Sequence, residues 1–297
     1  LGAPVDRPVV DWKGNCGNLS AAVGPFAVDE GLVRAAGGEA LVRIHQVNTR
    51  KLIHARFPVQ GGRAVVQGDF AIAGVAGTGA RIRLDFLDPG GTQTPHLLPT
   101  GNAADTLDIP GHGPLRATLV DAANPAVFID AADLGLTGGE LPEEIEARAD
   151  VLALLDRIRR IAGVAMGLGA TPTQVGLASP RVALVAPPLP ARTLDGRILD
   201  PAAHDIGVRM LSMERPHRAV PMTGAMGLAV ACRIAGSVPH ALMRQGPSAE
   251  VIRVGHASGI VAVGAEVRQA NTGWHAESAV VFRTARRLMQ GQVAIPL

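Results

Sequence analysis

Two stretches of this chain, residues 19–33 and 224–235, are apolar nearly all round and built largely from Ala, Gly, Val and Leu. A helix with no polar face must be covered on every side, since no part of its surface gains from water. Each stretch is therefore expected to be a helix inside a curled sheet, its N-terminus turned toward the other half of the molecule. That expectation constrains the fold more than any other feature, because it asks for two similar units.

The segments around these helices read as strands. Residues 41–45 and 52–57 alternate, 64–72 follows, and Arg81-Ile82-Arg83-Leu84-Asp85-Phe86-Leu87 alternates charged with apolar side chains. Breaks at Gly61-Gly62 and Gly77-Thr78-Gly79 are hairpin signals. Residues 88–114, rich in Gly, Pro, Thr and Asn, read as a connection between units, and strands resume at 115–120 and 126–130. Two helices are predicted over 141–149 and from 150 onward. In the second, Asp150 is the expected cap, and Leu152, Leu155, Ile158, Ile161, Ala162 and Ala165 share one face. A strand at 181–186, a helix at 205–211, and strands near 251–254, 260–267 and 279–283 complete the reading. The class is α+β, with two similar domains over 1–112 and 113–282, and with 283–297 returning to the first.

Composition narrows the function. Of 297 residues 47% are hydrophobic and 18% charged, so the chain is globular. Lysine occurs only at Lys13 and Lys51, leaving 28 − 2 = 26 arginines, scattered along the chain. With aromatics at 3% and a net charge of +2 there is no basic stripe for nucleic acid. The uncharged run 219–232 is shorter than the ~20 residues needed to span a bilayer, and no membrane role is expected. Two cysteines make no disulfide framework, and a cytoplasmic location is expected. The histidines show no metal spacing, so no metal is expected.

Cys16 carries the chemistry. It lies in Trp12-Lys13-Gly14-Asn15-Cys16-Gly17-Asn18, where a Gly/Asn turn meets the first apolar helix. Unpaired N–H groups and the positive end of the helix dipole favour a thiolate there and attract a carboxylate. Asn15, Gly17 and Asn18 at this start, and Thr223 and Gly224 at the second, are the expected carboxylate-binding positions. Cys232 lies inside an apolar helix and reads as structural. His256 and Ser258 sit between strands, where substrate contact and a plain turn are both open. Gly255-His256-Ala257-Ser258-Gly259 lacks the spacing of a hydrolase elbow. Gly74-Val75-Ala76-Gly77-Thr78-Gly79 precedes a strand, not a helix, and so reads as a hairpin, not a dinucleotide loop.

The run Gly14-Asn15-Cys16-Gly17-Asn18-Leu19-Ser20-Ala21-Ala22-Val23-Gly24-Pro25-Phe26-Ala27 resembles the PrpF family of 2-methylaconitate, methylitaconate and 4-oxalomesaconate isomerases. Leu97-Leu98-Pro99-Thr100-Gly101-Asn102, Asp121-Ala122-Ala123-Asn124-Pro125 and Gly255-His256-Ala257-Ser258-Gly259 add to it, as does Thr284-Ala285-Arg286-Arg287-Leu288-Met289. The resemblance implies a fold similar to diaminopimelate epimerase and a 1,3-allylic proton transfer without a cofactor. It also implies substrate contact by Asn124 and an unsaturated di- or tricarboxylate substrate, with 4-oxalomesaconate favoured; a homodimer is allowed. Epimerases of this fold use two cysteines, one at each central-helix start. Here the second start reads Pro221-Met222-Thr223-Gly224, which disfavours racemisation. The family's N-terminal lysine segment, with its Gly-Gly-Thr-Ser-Lys-type motif, has no match in the sequence, and Lys13 does not correspond to it. A carboxylate-binding protein without catalysis on the same scaffold is the reading from another class.

Overall fold

The computed structural model describes residues 17–47, 49–246, 250–271, 273–292 and 294. Helix α1 spans Gly17–Asp29, followed by strands β1 (Gly38–Gln46), β2 (Lys51–Gln60) and β3 (Ile82–Leu87). Then come β4 (Asp105–Ile109), β5 (Gly113–Ala122), β6 (Asn124–Asp130), α2 (Pro142–Glu146), α3 (Ala149–Ala165), β7 (Arg181–Ala186) and β8 (Ile206–Ser212). The chain continues through α4 (Met222–Cys232), α5 (Val238–Leu242), β9 (Val251–His256), β10 (Gly259–Ala270) and β11 (Gly273–Arg283). All eleven of these strands belong to one sheet, ordered β1-β2-β3-β11-β10-β9-β8-β7-β6-β5-β4.

Most neighbours are antiparallel, but β6/β7 and β8/β9 are parallel. A parallel pair needs a long crossover. The first crossover holds α2 and α3, the second α4 and α5. The crossover helices lie on opposite faces of the same strands. On β5, Leu115, Ala117 and Leu119 pack with Leu155 and Ile158 of α3, while Val120 and Ala122 join the core around α4. Strands covered on both faces read as continuous apolar runs, as Val182-Ala183-Leu184-Val185-Ala186 does.

Helix α4 sits where the sheet curls. All eleven of its residues are buried, and it packs against β5 and β6 from one end of the sheet and β10 and β11 from further along. The expectation for its sequence is met. For α1 it is not. That helix packs against β1, β2 and the short strand Arg63–Ala64, and Leu19 and Phe26 remain 70% and 54% exposed. Only one side of α1 is covered by described residues.

Other expectations also need correction. Residues 205–211, expected to be helical, form β8: Ile206, Val208 and Met210 alternate into the core around α4, and Asp205 accepts a bond from the Arg253 backbone N–H at 2.8 Å. Pairing with β7 and β9 overrides any local helical preference. The connection expected over 88–114 contains β4, which forms a hairpin with β5. Within 64–72 only Arg63–Ala64 and Phe70–Ala71 pair, as two-residue strands. Asp150 lies in the first turn of α3, not at its cap, which is Arg148; the Arg148 guanidinium donates to Asp150 at 2.9 Å. Ala165, expected on the apolar face, is exposed.

Candidate functional site

Asn15 and Cys16, with Lys13, lie outside the described residues. The start of the helix they precede is in place. Gly17, the first residue of α1, is buried against Met222, the first residue of α4, so that a Cβ at position 17 would lie 2.7 Å from the Met222 Cε. With glycine at position 17 the starts of the two helices abut, and a larger side chain there would force Met222 or the helix starts to shift. The cap of α4 is Pro221, which offers no side-chain acceptor, and the first intrahelical bond runs from the Ala225 N–H to the Pro221 carbonyl. The N–H groups of Met222, Thr223 and Gly224 therefore have no intrahelical acceptor, and the positive end of the dipole converges on the same point.

Around this joint the structure gathers several of the expected residues. Thr223 is 4% exposed, and its Oγ1 accepts from Nη1 of Arg181, the first residue of β7, at 2.5 Å. A Cβ on Gly224 would collide with Met210 and lie 3.8 Å from the same Arg181 nitrogen, so the guanidinium rests on the first turn of α4. Asn18, in the first turn of α1, accepts from Nε of Arg283 at 3.2 Å; Arg283 ends β11 and also donates to the Phe282 carbonyl at 2.8 Å. Asn124 opens β6 directly after Ala123, whose φ is +61°. Its Oδ1 accepts from Gln93 Nε2 at 3.1 Å, and Gln93 also donates to the Ser179 hydroxyl at 3.1 Å, two residues before Arg181.

Arg283 also lines a cavity of about 230 Å³, together with Val220, Phe282, His256 and residues 70–73. His256 is 4% exposed. Its Nδ1 accepts the Ser258 backbone N–H at 3.1 Å, which places the ring proton on Nε2. Burial first, then the nearby Arg209 and Arg283, push its pKa down to about 4, so it is a neutral donor at neutral pH. Ser258 donates its hydroxyl to the Arg218 carbonyl at 2.7 Å and lies against Gly74, which gives it a turn-locking role. His217 is held neutral by burial and by Arg181, with a pKa of about 4.

Sequence reasoning missed Arg181, Arg283, Gln93 and His217. Two of these carried a signal: each arginine is a lone cation at one end of an apolar strand, Arg181 before Val-Ala-Leu-Val-Ala and Arg283 after Ala-Val-Val-Phe. Cys232 is fully buried at the far end of α4, and burial raises its pKa, which makes it inert. Among the described residues no three His, Cys, Asp or Glu side chains cluster as metal ligands. No described helix is long and apolar enough to cross a membrane.

Comparison with known proteins places this geometry. The chain is 38% identical to a 2-methyl-aconitate isomerase of Shewanella oneidensis, over 98% of this chain and 76% of that protein. It is 36% identical to a (4E)-oxalomesaconate Delta-isomerase of a Novosphingobium species, over 98% and 75%. A crystal structure of a methylitaconate-delta-isomerase superposes with a TM-score of 0.87 at 37% identity, covering 96% of this chain and 73% of that one. At the level of fold alone, a probable proline racemase of Agrobacterium radiobacter superposes with a TM-score of 0.52 at 14% identity, covering 95% and 68%. The α+β, epimerase-like class expected from the sequence is the class observed. The profile of the family described as PrpF protein matches residues 3–296, and the chain belongs to that family.

Proposed function

We propose that this protein is a cofactor-independent isomerase that moves a proton across a three-carbon allylic unit of an unsaturated tricarboxylate. The observation that carries the reading is the abutment of two helix starts at Gly17 and Met222, with Cys16 next to it in sequence. A thiolate at Cys16 removes a proton from the carbon beside a carboxylate. The electron pair then spreads directly into that carboxylate and across the double bond to the third carbon, and the carboxylate's growing charge is met by the free N–H groups of Thr223 and Gly224. The Cys16 thiol, whose proton exchanges with solvent, then returns a proton two carbons away, and the double bond shifts by one position. Gly17, Asn18 and Asn124, with Asn15 next to them in sequence, are assigned to carboxylate binding, and His256 offers a neutral Nε2–H from the adjoining cavity. Ser258 acts through the turn that holds His256.

Within the substrate class, 4-oxalomesaconate is the first choice, with 2-methylaconitate and methylitaconate as alternatives, since relatives are named for all three. Cytoplasmic location and the division into two domains belong to the same proposal. Pairing of β11 with β3 and the ion pair of Arg287 with Glu30 support a return of 283–297 to the first domain, and the β4–β5 hairpin supports a boundary ahead of Asp105 instead of at 112/113.

Proton NMR in D2O with a panel of unsaturated tricarboxylates tests the reading, because it identifies the substrate and the exchanged carbon together. Binding without any exchange would leave a carboxylate-binding protein as the better account.

A further inference from the structure

Half-buried arginines in this protein are generally matched to a carboxylate. Arg159 and Arg160 share Asp156, Arg56 and Arg83 share Asp85, and Arg253 forks onto Asp205. Arg181 and Arg283 are not: among the described residues neither has an acidic partner, and each donates only to neutral oxygens. The Nε of Arg181 is buried with no hydrogen-bond partner at all. In both cases burial alone lowers the pKa, with no opposing charge to restore it. A guanidinium held in this way is costly unless an anion completes it.

Their positions are related. Arg181 is bonded to Thr223, which follows Met222; Met222 touches Gly17; Gly17 precedes Asn18, which is bonded to Arg283. The two cations thus flank the joint between the helix starts, one on the α4 side and one on the α1 side beside the cavity. The planar fork of each matches a carboxylate in two-point contact.

We propose that Arg181 and Arg283 are specificity-determining residues that each dock one carboxylate, on opposite sides of the helix joint, and so require a substrate with at least two well-separated carboxylates. The inference rests on the reading of the site as a carboxylate pocket. It adds that selection among acids is made by these two side chains, while the helix starts serve the carboxylate that takes up charge.

The test uses the full chain and tricarballylate, a saturated tricarboxylate that cannot isomerise, with binding followed by calorimetry. Arg181→Met and Arg283→Met should each weaken binding by about tenfold or more, the loss of a charge-assisted contact. Butyrate, with a single carboxylate, should be insensitive to at least one of the two substitutions. Wild-type affinity for tricarballylate in both folded variants would overturn the proposal. Should either variant fail to fold, phenylglyoxal modification of the unaltered chain decides. Tricarballylate should protect the peptides carrying Arg181 and Arg283, and unprotected modification of both would overturn the assignment. A wild-type chain that binds tricarballylate through these arginines yet exchanges no proton keeps this inference and removes the isomerase reading. A wild-type chain that binds no polycarboxylate removes both.

Discussion

Helices α1 and α4 are nearly alike as sequences and unlike as structures. Both are rich in Ala and Gly with almost no charge, yet α4 is buried at all eleven positions while α1 buries Gly17, Ser20, Ala21, Gly24 and Val28. The difference lies in what surrounds them. Strands from two separate stretches of the sheet, and α5, close over α4; β1, β2 and a two-residue strand meet α1 from one side. An all-round apolar helix is therefore compatible with full burial, but enclosure is decided by the strands that reach it. At their starts, where Gly17 meets Met222, the two helices come together, and the proposed chemistry lies there.

The largest expected effect separates the thiol before α1 from the thiol ending α4. Cys16→Ser should lower turnover by about 10²–10⁴-fold, the usual worth of a positioned acid/base, without loss of fold. Cys232→Ser should retain most activity, since the buried thiol is remote from the joint. Iodoacetamide should correspondingly modify Cys16 well before Cys232, read by peptide mass spectrometry. The opposite order in either experiment would detach the chemistry from the start of α1. Next comes packing. Leu228→Ala, in the enclosed helix, should cost about 2–5 kcal/mol of stability in urea unfolding, whereas Leu19→Ala on the exposed side of α1 should stay within about 0.5 kcal/mol. Similar costs at both positions would mean that α1 is covered in solution as fully as α4.

Much of this contrast was legible beforehand. The apolar character of α4 dictated its burial. That the described residues cover only one side of α1 was not legible, because coverage depends on partners distant in sequence. Strand β8 was misread for the same reason. Ile206-Gly207-Val208-Arg209-Met210 alternates as a strand should, but its partners β7 and β9 are separated from it by the long segments 187–205 and 213–250. Arg181 and Arg283 escaped because a lone arginine at a strand end is common on any surface. Only the fold brings one to Thr223 and the other to Asn18.

The side of the joint that faces the cavity can be probed by pH. His256 has a folded-state pKa of about 4 against an ordinary 6.5, so between those values the unfolded chain binds a proton that the folded chain refuses. Stability should thus be full above pH 6.5 and fall as the pH drops toward 4, by roughly 3 kcal/mol from this group. His217 shares the window. Urea midpoints measured at pH 7.5 and 4.5 should show the fall, and His256→Gln should reduce it. An unchanged pH slope in that variant would mean that His256 is reached by water and is not a fixed neutral donor.

The smallest expected effect on stability is the sharpest probe of the joint. Gly17→Ala adds a methyl that meets the flexible end of Met222 at 2.7 Å, so the thioether or the helix starts must shift. Alanine is the better helix former by up to about 1 kcal/mol, which offsets the crowding, and the net change in stability should be small. Activity should respond more strongly, because a displacement of the two starts moves the N–H donors relative to the thiol. A loss of about tenfold in kcat/KM is expected. Shortening the opposing side chain should then relieve the clash, so that Met222→Ala restores activity in the Gly17→Ala background more than it alters the wild type. That non-additivity is the signature of direct contact. Additive effects would show that the helix starts act independently, and the site would then belong to one of them alone.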